Sequence, residues 1–172
     1  MQRRLSILAG ALAALVAAST LAEPPADMPR RKPGLWEMKT TLVELGGLTQ
    51  MLQMCVGPNT DDILYQRGGK QGGCEQQTWR REGERSTFSA VCRIEGSLAN
   101  LRGSFTGDFT TRYSGELYST YNPPLQGMAS MTMRQDSRWL GECQPGQKPG
   151  DIVRQGVGGI DLDAMMKGMQ RR

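Results

Sequence analysis

The chain has 172 residues, with 21 Lys and Arg, 17 Asp and Glu, and no histidine. Without histidine there is no Ser-His-Asp or Cys-His catalysis, no His-ligated zinc and no imidazole general base. The charge excess is small and no basic stripe interleaves with aromatics, which disfavours nucleic acid as a partner.

Residues 1–22 read as a secretory signal peptide. Met1-Gln2-Arg3-Arg4 is a charged start, Leu5 to Thr20 is apolar and uncharged, and Thr20 and Ala22 supply small residues before Glu23. The apolar run is too short for a stable anchor, and no later stretch is long enough to span a bilayer, so no integral membrane segment is expected after cleavage. No cysteine follows the cleavage site to take a lipid. Cleavage would leave 150 residues, in which 19 Lys and Arg face 17 Asp and Glu. That is the size of one domain, and its expected location is exported, periplasmic or secreted.

Residues 23–33 hold four prolines and no apolar periodicity, and are expected to form a flexible leader. From Gly34, the alternation of Trp36, Met38, Thr40 and Leu42 predicts a half-buried strand. Gly46-Gly47 is read as a two-residue hairpin turn. That pairing sets Leu42 opposite Met51 and Met38 opposite Cys55, so Trp36, Met38, Leu42, Met51 and Cys55 would share one core-facing side. Pro58 to Asp62 carries capping residues and then acids, the start of a short helix near 60–67 that Gly68-Gly69 should end.

The segment from Cys74 to Cys92 reads as a hairpin. An odd-length loop centred on Gly83 sets the two cysteines opposite each other, close enough for a disulfide. Four cysteines in an exported chain imply two disulfides, and pairing Cys74 with Cys92 leaves Cys55 with Cys143. Successive spacings of 19, 18 and 51 residues do not suit a four-thiolate metal site, which uses close pairs.

Further on, Phe105, Phe109 and Tyr113 fall in one phase, with Gly107-Asp108 read as either a turn or a bulge. A strand through Leu117 to Tyr121 should break at Asn122-Pro123-Pro124. Ala129, Met131, Met133, Trp139 and Cys143 share the odd phase of a last strand. Residues 144–172 are a Pro- and Gly-rich linker and a Met-rich tail, where Asp161 could cap a helix striped by Leu162, Met165, Met166 and Met169.

Several pieces together resemble a bacterial envelope family, domain-of-unknown-function family 3617. They are Pro33-Gly34-Leu35-Trp36-Glu37, Gln53-Met54-Cys55-Val56, Cys74 and Cys92, the strand around Phe105 to Gly115, and Met131-Thr132-Met133 through Trp139 to Cys143. The resemblance covers residues 33–143 and implies an exported, disulfide-bonded, mostly antiparallel β domain. It implies no activity and carries over no functional residue.

The expected fold is therefore mainly β: one strongly curved antiparallel sheet over 34–143, as a partial barrel or sandwich, with a short helix and a C-terminal helix. Glycines at 103, 107 and 115 suit such bending. A curved sheet with adaptable methionine walls can hold one apolar ligand. The candidate binding residues are Trp36, Met38, Met51, Met131, Met133 and Trp139; Trp79, Tyr113, Tyr118 and Tyr121 could line its mouth. Eleven methionines raise an alternative, a periplasmic Cu(I) protein using Met128, Met131 and Met133 as soft thioether ligands. Packing is preferred, because a buried alternating face needs no further cause. A third reading, an enzyme using carboxylates alone, would draw on Asp61-Asp62, but adjacent acids in a first helical turn serve the helix dipole more often. The expected function is noncatalytic, with no cofactor: an envelope module that binds an apolar small molecule or an envelope protein. The oligomeric state is not encoded in any visible pattern.

Overall fold

The computed structural model describes residues 24–70 and 73–157. The expected signal peptide and the helix expected from Asp161 lie outside the described residues. Among the described residues, eight strands and one helix follow in order: β1 Gly34–Leu42, β2 Leu48–Val56, α1 Thr60–Lys70, β3 Cys74–Glu82, β4 Arg85–Ile94, β5 Ser97–Gly107, β6 Arg112–Leu125, β7 Met128–Gly141 and β8 Ile152–Val157. They form one antiparallel sheet in the order β3-β4-β5-β6-β7-β1-β2-β8. β3 and β8 remain as edges, so the barrel is partial.

Alternation places Trp36, Met38, Leu52, Met54, Val56, Phe105, Tyr113 and Trp139 on one face, where they pack together with Phe109. Trp36 is fully buried, and its truncation to alanine would cost about 3–5 kcal/mol. A second cluster of Ala90, Cys92 and Ala99 with Phe88, Leu101 and Tyr121 continues the same face across β4 to β6.

The first hairpin departs from the expected register. Gly46 and Gly47, both at positive φ, end a five-residue connection (43–47), and Leu42 faces Leu48 while Met38 faces Leu52. The Val43 amide donates to the Thr132 carbonyl, and the Glu44 carboxylate accepts from the Thr132 amide and hydroxyl. These bonds draw the connection toward β7 and out of the ladder. The register change also alters parity, so Met51 and Cys55 lie on the opposite face from Trp36, Met38 and Leu42.

The disulfide hairpin reaches the expected pairing by another route. Its turn is the two-residue Gly83-Glu84, with Glu82 opposite Arg85, and an irregularity between Glu75 and Thr78 moves the register by one. Gln76 takes a positive φ there. Cys74 still faces Cys92 and is bonded to it, and Cys55 is bonded to Cys143 across 88 residues.

Other expectations are corrected locally. Helix α1 runs past residue 67 to Lys70, because Gly68 and Gly69 let its end lie close against the Gln77 side chain of β3. Gly107-Asp108 is a turn. The Asp108 carboxylate accepts from the amides of Thr110, Thr111 and Arg112 and from the Thr111 hydroxyl, with the Thr111 bonds foremost in holding its pKa far below the usual range. β6 continues through the prolines to Leu125, but its ladder to β7 skips from Thr120 to Leu125, since proline has no N–H to donate. Residues 152–157, read as linker, form β8 on β2. The Cys143 disulfide brings this chain alongside, and backbone bonds join Cys55 to Gly150 and Asp151.

In the chain-entropy model, removing Cys55–Cys143 as a double alanine variant is expected to cost ~4.6 kcal/mol, and removing Cys74–Cys92 ~3.2 kcal/mol; urea denaturation of both variants checks the order. Asp108→Asn should lower stability at neutral pH. Because folding depresses the Asp108 pKa, its contribution is full above the ordinary aspartate range of about 4 and fades as pH falls toward the folded value. The gap in melting temperature from the unsubstituted protein should therefore narrow on acidification.

Candidate functional site

Seven strands that are consecutive in the sheet send side chains to a single cavity. In spatial order these are Gln77 and Trp79 together from β3, then Phe88, Phe105, Tyr113, Gln135, Met38 and Met54. Only a strongly curved sheet can bring β3 and β2 to one space. Phe105 lies across Gly103 and Gly115, where an added Cβ would overlap its ring. Those glycines let the aromatic ring lie down on the sheet.

The open side is closed by two segments outside the sheet. Met28, Pro29 and Arg31 come from the leader, and Asp61, Leu64 and Tyr65 from α1. The leader is docked rather than flexible. Met28 is buried, the Lys32 amide donates to the Phe109 carbonyl, and the Trp36 indole donates to the Lys32 carbonyl at 2.8 Å. The Lys32 ammonium sits 3.7 Å from the centre of the Trp139 ring, a cation–π contact. Phe109 is held at positive φ, a conformation costly for a bulky residue; its ring stacks on Tyr113 with centroids 4.8 Å apart.

Asp61 and Asp62 bind the leader. Arg30 Nε lies 2.8 Å from Asp62. Arg31 gives Nε to Asp61 Oδ1 at 2.9 Å and its backbone amide to Oδ2 at 2.7 Å, with Nη2 also on Oδ1. The Arg31 side chain is 8 % exposed and that of Asp61 15 %. Burial, the largest influence, would lower the guanidinium pKa, but the Asp61 hydrogen bond and nearby Tyr113 and Asp61 outweigh it, and the net shift is upward. Arg31 also meets sulfur: Nη1 lies 3.4 Å from Met38 Sδ and Nη2 3.6 Å from Met54 Sδ.

The cavity is about 330 Å³, within the range of small-molecule sites. A larger recess of about 610 Å³ is edged by Glu37, Lys39, Glu84, Arg112, Asp136 and Arg138. Its lining residues are mostly charged or polar, including the Arg138–Glu37 ion pair.

Of the residues expected to bind, Met38 lines the cavity. Trp36 is buried beneath it as core. Met51 lies on the other face and borders the polar recess. Met131 and Met133 share the cavity face of β7 beyond Gln135 but do not reach the lining. Trp139 is half-buried under Lys32 and donates to the Pro33 carbonyl. Met128, at an even position, projects opposite to Met131 and Met133, so the three thioethers do not converge. Trp79 and Tyr113 are on the wall as anticipated, whereas Tyr118 is exposed and Tyr121 belongs to the second cluster. Arg31, Asp61, Met54, Phe88 and Phe105 went unforeseen as lining residues. The one sequence signal was the pairing of two basic residues, Arg30-Arg31, with two acids, Asp61-Asp62.

A family model described as "Protein of unknown function (DUF3617)" matches residues 31–143. The chain belongs to this family. No curated protein and no solved structure matches it. The DUF3617 span begins on Arg31 and closes on Cys143, so it takes in every strand residue that lines the cavity, the helix and both disulfides. Among the described residues, no helix is long and apolar enough to cross a membrane.

In this DUF3617 chain, Arg31→Met and Asp61→Leu should each cost about 3–5 kcal/mol, because each leaves a buried charge unpaired. The double variant should recover most of that loss. Urea denaturation of the three proteins measures both effects.

Proposed function

We propose that this protein is an exported, noncatalytic envelope module that holds one small apolar molecule in the cavity between its curved sheet and the leader–helix cover. The observation that carries the proposal is the convergence of seven strands on one mainly aromatic and thioether-walled space. Two disulfides fit an oxidising compartment outside the cytoplasm. The one carboxylate among the lining residues, Asp61, is bound by Arg31, so a carboxylate acid–base pair has no support there. Cu(I) binding through Met128, Met131 and Met133 is the weaker reading, because strand alternation parts the first from the other two.

The test is saturable uptake of N-phenyl-1-naphthylamine, a neutral apolar fluorophore, by the mature protein purified without reductant. One site per chain is expected. Leu64, 39 % exposed on the cover, can be enlarged with little strain, and Leu64→Trp should weaken uptake about tenfold by filling the mouth, a loss near 1.4 kcal/mol. No saturable uptake by the unsubstituted protein, or uptake indifferent to Leu64→Trp, would remove the cavity from the proposal.

A further inference from the structure

The concave face continues beyond the cavity. Leu48, Leu42, Met133 and Leu117 stand side by side across β2, β1, β7 and β6, and Met131 extends the same face of β7. Leu48 is 43 % exposed, and the other four are half-buried. Among the described residues, none of the five belongs to either packed cluster and none lines the cavity. Single apolar side chains at a surface need no explanation, but a contiguous row of them marks a contact. The chain itself is delivered to this end of the sheet. β8 begins opposite Met54 and ends with Val157 opposite Gln50, two residues from Leu48. Residues 158–172 follow, outside the described residues.

We infer that residues 158–172 fold back from the end of β8 as an amphipathic helix that lays Leu162, Met165, Met166 and Met169 on the row of Leu48, Leu42, Met133 and Leu117. The sequence of the segment carries the apolar stripe at i, i+3, i+4 and i+7, with Asp161 placed to cap its start and Arg171 and Arg172 at its end. A helix of about nine residues is marginal alone in water, so such a stripe needs a surface to form against. The reach is sufficient. Residues 158–161 span up to about 13 Å when extended, and the stripe from Leu162 to Met169 covers about 11 Å. β6 lies four strands from β8 in the sheet, a distance of about 19 Å. Methionine on both sides suits the contact, because its unbranched side chain adapts to an irregular surface. A tethered segment is present at an effective concentration on the order of millimolar, which favours it over a second copy as the occupant. Docking there does not depend on a guest in the cavity.

The experiment follows hydrogen-peroxide oxidation of the methionines in the mature, disulfide-bonded chain by tandem mass spectrometry. A thioether shielded from solvent oxidises slowly, and Met51, on the opposite face, is the internal reference for every rate. Two variants add the same charge to the segment, Met166→Asp on the stripe and Ala164→Asp on the far side of the helix. In Met166→Asp, oxidation of Met131 and Met133 relative to Met51 is expected to rise at least about fivefold, and in Ala164→Asp to stay within about twofold of the unsubstituted protein. In the reverse direction, Met133→Lys should speed oxidation of Met165 and Met169. Equal rates at Met131 and Met133 in the unsubstituted protein and both segment variants would overturn the docking. Equal release by Ala164→Asp and Met166→Asp would overturn the stripe as the contact face. Met165 and Met169 rates indifferent to Met133→Lys would overturn the row as its seat. Protection lost on about hundredfold dilution would assign the cover to a second copy of the chain and overturn docking within one chain.

Discussion

The concave side of this protein depends on the ion pair between Arg31 and Asp61. The sheet curves far enough to gather seven strands around one space, but β3 and β8 do not meet, so the face must be covered by something else. Leader and helix do this together, and Arg31 is where they join. A buried ion pair is weak evidence for stability, because desolvation takes back much of the Coulomb energy. Its effect here is geometric. The pair fixes the leader against α1 and places one guanidinium between Met38 and Met54, inside an otherwise apolar wall.

The rest of the architecture serves that cover. Helix α1 lies between β2 and β3 in the chain, and these strands stand far apart in sheet order but line the same cavity. Its glycines, 68 and 69, permit close approach to β3. The Cys55–Cys143 disulfide works from the other side of the sheet: it holds the chain after β7 against β2, where β8 adds a final strand. Curvature, cover and disulfide staple are thus three parts of one solution to an open sheet with an apolar face.

The two hairpins show how local reasoning succeeds and fails. In the second, the turn is one residue shorter than its sequence suggests, and the irregularity at Gln76 compensates, so Cys74 still meets Cys92. The covalent requirement is strong enough to survive an error in turn type. In the first hairpin nothing compensates. Glu44 and Val43 bind Thr132 on β7, a strand 88 residues away from Glu44 in the chain, and that contact decides the loop length. One change of parity then moves Met51 from the expected site to the opposite face.

Local patterns in the sequence determined the β class, the strand alternation, the position of the helix start and both disulfide pairings. Each of these depends on near neighbours in the chain or on the small number of ways four cysteines can pair. Only the tertiary structure decided which face Met51 takes, that residues 28–33 dock, that 152–157 become a strand, and that Arg31 and Asp61 close the cavity. Those outcomes rest on contacts between distant segments, which periodicity cannot register. Arg31 reads as one more surface charge until a curved sheet and a helix remove it from water, and its partner lies 30 residues away.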